Sequence, residues 1–172
     1  MKRRATVYWL IPAEDERELF CEIIRILCRE FKAPNFDPHL TILLDPNRQS
    51  PTAVLRQIKP GPIRLSLQGV GHSSKFTKTL FVRFKPNRML ERLVVDLSRA
   101  AKTRAKPVPE PHVSLVYKKI PAEARKELAS AIKMPFREVV FNSIKAIPCN
   151  LPVKSRASVE AWRAVATKSL SE

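Results

Sequence analysis

The chain has 172 residues, 44% of them apolar, which suits a core of ordinary size and excludes a disordered chain. Its 32 Lys and Arg against 16 Asp and Glu leave a net charge of +16, and its three glycines, Gly61, Gly69 and Gly71, are too few and wrongly spaced for a dinucleotide-binding GxGxxG or a phosphate-cradling GxxxxGKS/T loop. Cys21, Cys28 and Cys149 form no CxxC pair; with no secretory leader and no run approaching ~18 apolar residues, they point to reduced thiols in a soluble, cytoplasmic protein.

Ala5 to Ile11 is rich in β-branched and aromatic residues and is closed by Pro12, so it predicts a buried strand. A helix follows from Ala13 to Phe31: Leu19, Phe20, Ile23, Ile24, Leu27 and Phe31 recur at helical spacing, and Glu14, Asp15 and Glu16 sit where the N-terminal dipole favours anions. His39 to Leu44 predicts a second strand. Ser50 before Pro51 has the form of an N-cap opening a short helix to about Ile58. Ile63 to Val70 and Thr79 to Lys85 alternate apolar and polar and predict an antiparallel pair. Asn87 caps a helix over about Arg88 to Lys102, with Met89, Leu90, Leu93, Val94 and Leu97 inward and Arg88, Arg92, Arg99 and Lys102 outward. His112 to Tyr117 is a further strand. A helix from Pro121 to about Ile132 and strands near Glu138 to Ile147 and Ala161 to Thr167 complete an α+β chain, with Trp9 and Trp162 expected in its core.

One short element occurs twice, 73 residues apart: Asp37-Pro38-His39-Leu40-Thr41-Ile42-Leu43 and Glu110-Pro111-His112-Val113-Ser114-Leu115-Val116. Side chains alternate along a strand, so each copy presents an imidazole and a hydroxyl on one face. A single strand histidine is commonly a hydrogen-bonded core residue; a repeated seven-residue pattern points to chemistry. An imidazole with its ordinary pKa of ~6.5 can serve as general base or general acid near neutral pH. Cleavage of a cyclic phosphodiester needs that pair, one group activating water and the other protonating the leaving sugar oxygen. Thr41 and Ser114 would hold the non-bridging oxygens, where charge accumulates. No metal or other cofactor is required.

These residues resemble the 2H phosphoesterase superfamily, and within it the cyclic phosphodiesterases of the plant and yeast type. The resemblance rests on Tyr8-Trp9-Leu10-Ile11-Pro12, Phe36-Asp37-Pro38-His39-Leu40-Thr41 and Pro111-His112-Val113-Ser114-Leu115-Val116-Tyr117, and spans roughly residues 5 to 165. It implies one domain over residues 1–172 with two pseudo-symmetric lobes of antiparallel sheet, outer helices and a central cleft. It also implies catalytic roles for His39 and His112, phosphate binding by Thr41 and Ser114, and substrate contacts from Tyr117 and, near the nucleobase, Phe76. Tyr117 is an odd step from His112, so a place at the site requires a bend at the strand end. Leu44-Asp45-Pro46 stands where the bacterial 2′-5′ RNA ligase-like branch typically has Phe-Leu-Gly.

His72 and Ser74 repeat the His-x-Ser spacing but lack the Pro and the apolar continuation, and predict a surface turn. The spacing of the three histidines does not encode zinc ligation. Residues 75–106 hold ten Lys or Arg against two acids, half of the net charge, a basic region able to steer an anion or contact an RNA backbone. The expected activity is hydrolysis of 2′,3′-cyclic nucleotides or ADP-ribose cyclic phosphate, with His112 as base and His39 as acid. RNA-end phosphodiesterase or 2′-5′ ligase-like chemistry is the first alternative, and a non-catalytic RNA or nucleotide binder is the second. The expected partners are a cyclic-phosphate nucleotide and, as the wider class, RNA ends, with no membrane and a monomeric chain.

Overall fold

A computed structural model describes residues 3–47, 49–104 and 106–171. Strand β1 (Arg3–Pro12) leads into helix α1 (Glu14–Phe31), then β2 (Leu40–Asp45) and α2 (Pro51–Arg56). The chain continues through β3 (Ile63–His72), a 3-10 turn (Phe76–Lys78), β4 (Leu80–Phe84), α3 (Arg88–Ala100) and β5 (His112–Val116). Helix α4 (Ala122–Ala131), the long β6 (Glu138–Leu151), α5 (Arg156–Glu160) and β7 (Ala166–Ser169) complete it.

Among the described residues the strand pairings are antiparallel, and they divide into two halves, β2-β1-β6-β7 and β5-β4-β3. The halves meet at two short seams. One is the single register pair Leu40↔Val113 between β2 and β5; the other joins Ile63–Ser66 of β3 to Glu138–Phe141 of β6. The α+β architecture of two similar halves agrees with the sequence pattern. Leu40 and Val113 each directly follow a motif histidine, so the seam between β2 and β5 brings the two copies of the repeat together.

Local chemistry accounts for the elements. Helix α1 has no side-chain cap, but three acids occupy its first turn, and Phe20, Ile24 and Leu27 are buried. The Ser50 hydroxyl accepts from the Ala53 N–H and the Asn87 side chain from the Leu90 N–H, as N-caps do. Alternation along β1 serves two cores: Tyr8 and Leu10 join the main core under the helices, while Val7, Trp9 and Ile11 form a smaller cluster with Ile147 on the other face.

The structure corrects four expectations. Met89 is 53% exposed, because the buried arc of α3 is set by Leu90, Leu93, Val94 and Leu97 and Met89 falls at its edge in the first turn. His72 is the last residue of β3, paired with Leu80, rather than part of a turn. Residues 156–160 are helical, and the last strand begins only at Ala166. Trp162 therefore lies in the turn after α5 and is only partly buried, with Ser155 capping that helix through the Ser158 N–H.

Candidate active site

His39 immediately precedes β2 and His112 opens β5, and the same local geometry orients both. Nδ1 of His39 lies 2.7 Å from the carbonyl oxygen of Asp37, and Nδ1 of His112 lies 3.1 Å from that of Glu110. Each Nδ1–H donates to a carbonyl two residues back, which leaves Nε2 as the lone-pair nitrogen of both rings. The acids of the two motifs anchor these turns with their side chains. The Asp37 carboxylate lies 3.7 Å from Arg17 and 3.7 Å from Lys145, and Glu110 pairs with Lys78. Such exposed pairs contribute little energy, but they tether the carbonyls that aim the imidazoles.

His39 is 4% exposed, inside an aromatic box. Trp9 stacks on it with centroids 3.6 Å apart and planes 13° from parallel, while Trp162 meets it edge-on at 5.6 Å. Tyr117, just beyond the end of β5, brings its hydroxyl to 3.2 Å from Nε2 of His39. Burial keeps that phenol protonated by pushing its pKa up, so the hydroxyl donates to Nε2. Burial likewise pushes the His39 pKa down to about 4, which favours the neutral ring. His112 is less enclosed. Its pKa is also lowered, by burial first and by the Lys78 charge, with the Glu110 carbonyl and carboxylate opposing. Phe81 meets its ring at 5.4 Å between centroids.

A cleft of about 240 Å³ is lined by Trp9, His39, Thr41, His112, Tyr117 and Trp162 among others. Four of the expected site residues, His39, His112, Thr41 and Tyr117, thus share one cavity. β5 ends at Val116, so Tyr117 lies beyond the regular strand and is not bound to its alternation of faces. Ser114 is buried and donates its hydroxyl to the Thr77 carbonyl at 2.9 Å, outside the cleft lining. Phe76 also lies outside that lining, packed against Tyr117 at 6.2 Å. The two motifs therefore differ at their hydroxyls: Thr41 is exposed to the cavity, and Ser114 is buried behind the cleft wall, its hydroxyl on the carbonyl of Thr77, a lining residue.

Sequence reasoning missed Trp9 and Trp162 as cleft walls, placing both in the core. A signal was present for Trp9: the unbroken apolar run of β1 implies that both strand faces are covered. None was present for Trp162, whose turn reads as a strand. Among the described residues no group of three or more His, Cys, Asp or Glu side chains could hold a metal ion. No helix of the described residues is long and apolar enough to cross a membrane.

The fold is one found in solved structures that include a phosphoesterase. Its likeness to E. coli LigT complexed with 3′-AMP has a TM-score of 0.57 at 12% identity, covering 99% of each chain. TT0787 of Thermus thermophilus aligns with a TM-score of 0.57 at 19% identity, over 96% of this chain and 97% of that one. A structure described only as a phosphoesterase gives 0.56 at 14% identity, over 98% and 99%. No protein-family model and no curated protein matches the sequence.

Proposed function

We propose that this protein hydrolyses cyclic phosphodiesters, such as 2′,3′-cyclic nucleotides or the cyclic phosphate of ADP-ribose, to monophosphates without a metal ion. The observation that carries this reading is the pair of imidazoles on one cleft, each with Nδ1 tied to the carbonyl two residues back, so that Nε2 is the nitrogen turned to proton transfer, held in His39 by the Tyr117 hydroxyl. A water oxygen attacks phosphorus and gives its proton to one Nε2. The bond from phosphorus to one ring oxygen breaks, and that oxygen takes a proton from the other imidazole. Burial favours neutral His39, so His39 takes the role of base once the Tyr117 hydroxyl turns from its Nε2 to the substrate, and His112 that of acid, the reverse of the assignment expected from sequence. An anionic phosphodiester beside His112 favours its protonated form. Thr41 is the hydroxyl placed to hold a non-bridging oxygen.

RNA ends bearing a cyclic phosphate, or 2′-5′ ligase-like chemistry on such ends, are the second reading. A groove of about 710 Å³ favours it, because it continues from the cleft through Thr41 and His112 and carries Arg3, Arg104 and Lys106 on its walls.

The test is a panel of 2′,3′-cyclic nucleotides and ADP-ribose 1″,2″-cyclic phosphate, with the product phosphate located by phosphorus NMR. Turnover by the parent protein should be unaffected by EDTA. His39→Ala and His112→Ala should each lower kcat by ~10²–10⁴-fold, the range of general acid or base catalysis. Full activity in both variants would overturn the mechanism.

A further inference from the structure

The described residues lining the cleft include no Lys or Arg. A phosphodiester nevertheless brings one negative charge, and attack by water concentrates charge on its non-bridging oxygens. The adjoining groove shares Thr41, Leu44 and His112 with the cleft and carries Lys78 on its wall. Lys78 ends the 3-10 turn before β4, and its side chain is 21% exposed. Its ammonium sits 4.6 Å from the Phe81 ring centroid and pairs with the Glu110 carboxylate. In the other motif, the cations beside Asp37 are Arg17 and Lys145, and neither lines the cleft or this groove. The two anchors are therefore alike in form, yet only the Lys78 anchor lines the groove that adjoins the cleft.

We propose that Lys78 is a further catalytic residue, whose ammonium leaves Glu110 for the non-bridging oxygens of a phosphodiester seated between Thr41 and His112. The inference rests on the phosphodiesterase reading. Glu110 is half-exposed, so its pair with Lys78 is screened and readily exchanged, whereas an ammonium meeting phosphate makes a charge-assisted bond. The Phe81 ring lies under the ammonium itself, 4.6 Å away, and meets His112 edge-on, so it holds the charge near that imidazole. No proton or covalent bond changes hands in this step: Lys78 supplies charge, and the two histidines move protons.

Two measurements decide it. Inorganic phosphate is titrated into the parent protein, K78M, K78R and E110Q by calorimetry, and turnover of 2′,3′-cyclic AMP is measured on the same proteins. K78M removes the charge while keeping a side chain of similar length, and K78Q serves the same comparison if K78M does not fold. Loss of the charge-assisted bond should weaken phosphate binding about tenfold or more in K78M, with K78R recovering most of it. E110Q should bind phosphate at least as tightly as the parent, because it releases the ammonium. In K78M the His112 ring should also titrate at higher pH by NMR, since the Lys78 charge holds its pKa down. Equal weakening in K78M and E110Q would show that Lys78 only anchors the turn, and unchanged phosphate affinity in K78M would overturn the proposal outright. Absence of turnover in the parent would instead refute the phosphodiesterase reading, while the phosphate titrations would still judge Lys78.

Discussion

Asp37 and Glu110 give a physical reason for the acid that opens both copies of the repeat. In each, the side chain is tied to a cation and the carbonyl receives the Nδ1–H of the histidine two residues on. Those bonds set the tautomer; burial sets the charge. The unfolded chain takes up a proton on His39 near pH ~6.5, whereas the folded chain resists until about pH 4. Between those values the unfolded state binds more protons, so stability is fully present above the higher value and falls as pH drops toward the lower, by ~3 kcal/mol if the whole shift is realised. His112 is shifted in the same direction and adds to the effect. Chemical unfolding at pH 7 and pH 4.5 should therefore show a smaller acid-induced loss in His39→Asn than in the parent protein. An equal loss in both would mean that His39 is not held neutral by the fold.

At the scale of strands, placement of the histidines depends on pairings that the sequence announces only in part. The period-2 alternation of β3 and β4 and the caps Ser50 and Asn87 are local signals, and those elements stand where the sequence puts them. The repeat made His39 and His112 legible as a pair. The closing of the two halves at Leu40↔Val113 was not legible as a register, because it rests on contacts between strands far apart in sequence. The burial of Ser114 depends likewise on the Thr77 carbonyl, and the wall made by Trp162 on a five-residue helix whose sequence carries no periodic signal. Gly71 shows how closely the second half is fitted. It pairs with Phe81 across β3 and β4, and a Cβ at Gly71 would lie 2.8 Å from the Phe81 ring. That ring in turn packs edge-on against His112. Gly71→Ala should displace Phe81, cost about 1–3 kcal/mol in chemical unfolding and lower kcat by disturbing His112. Unchanged stability and turnover would show that the ring has room to yield.

Over the whole molecule the charge is uneven: residues 1–38 balance at seven basic against seven acidic, whereas residues 75–106 carry half of the +16 surplus. The fold sets part of that surplus beside the second motif histidine, since Lys78, Arg104 and Lys106 line the same groove as His112. Two substrate sizes then predict different salt dependences. On the proposed reading, a cyclic mononucleotide with its phosphate in the cleft would leave Arg104 and Lys106 largely without a partner. An oligonucleotide ending in a cyclic phosphate can lay its next phosphates along the groove, and each one neutralised steepens the fall of log affinity with log salt by about 0.7. If RNA ends are the substrate, log KM for the oligonucleotide should rise with log salt more steeply than for the mononucleotide. The double variant Arg104→Gln, Lys106→Gln should then reduce the oligonucleotide slope by about 1.4 and leave the mononucleotide slope nearly unchanged. Parallel slopes for both substrates in the parent protein would confine recognition to the cleft, and the basic groove would then serve only to draw small anions toward it by long-range attraction.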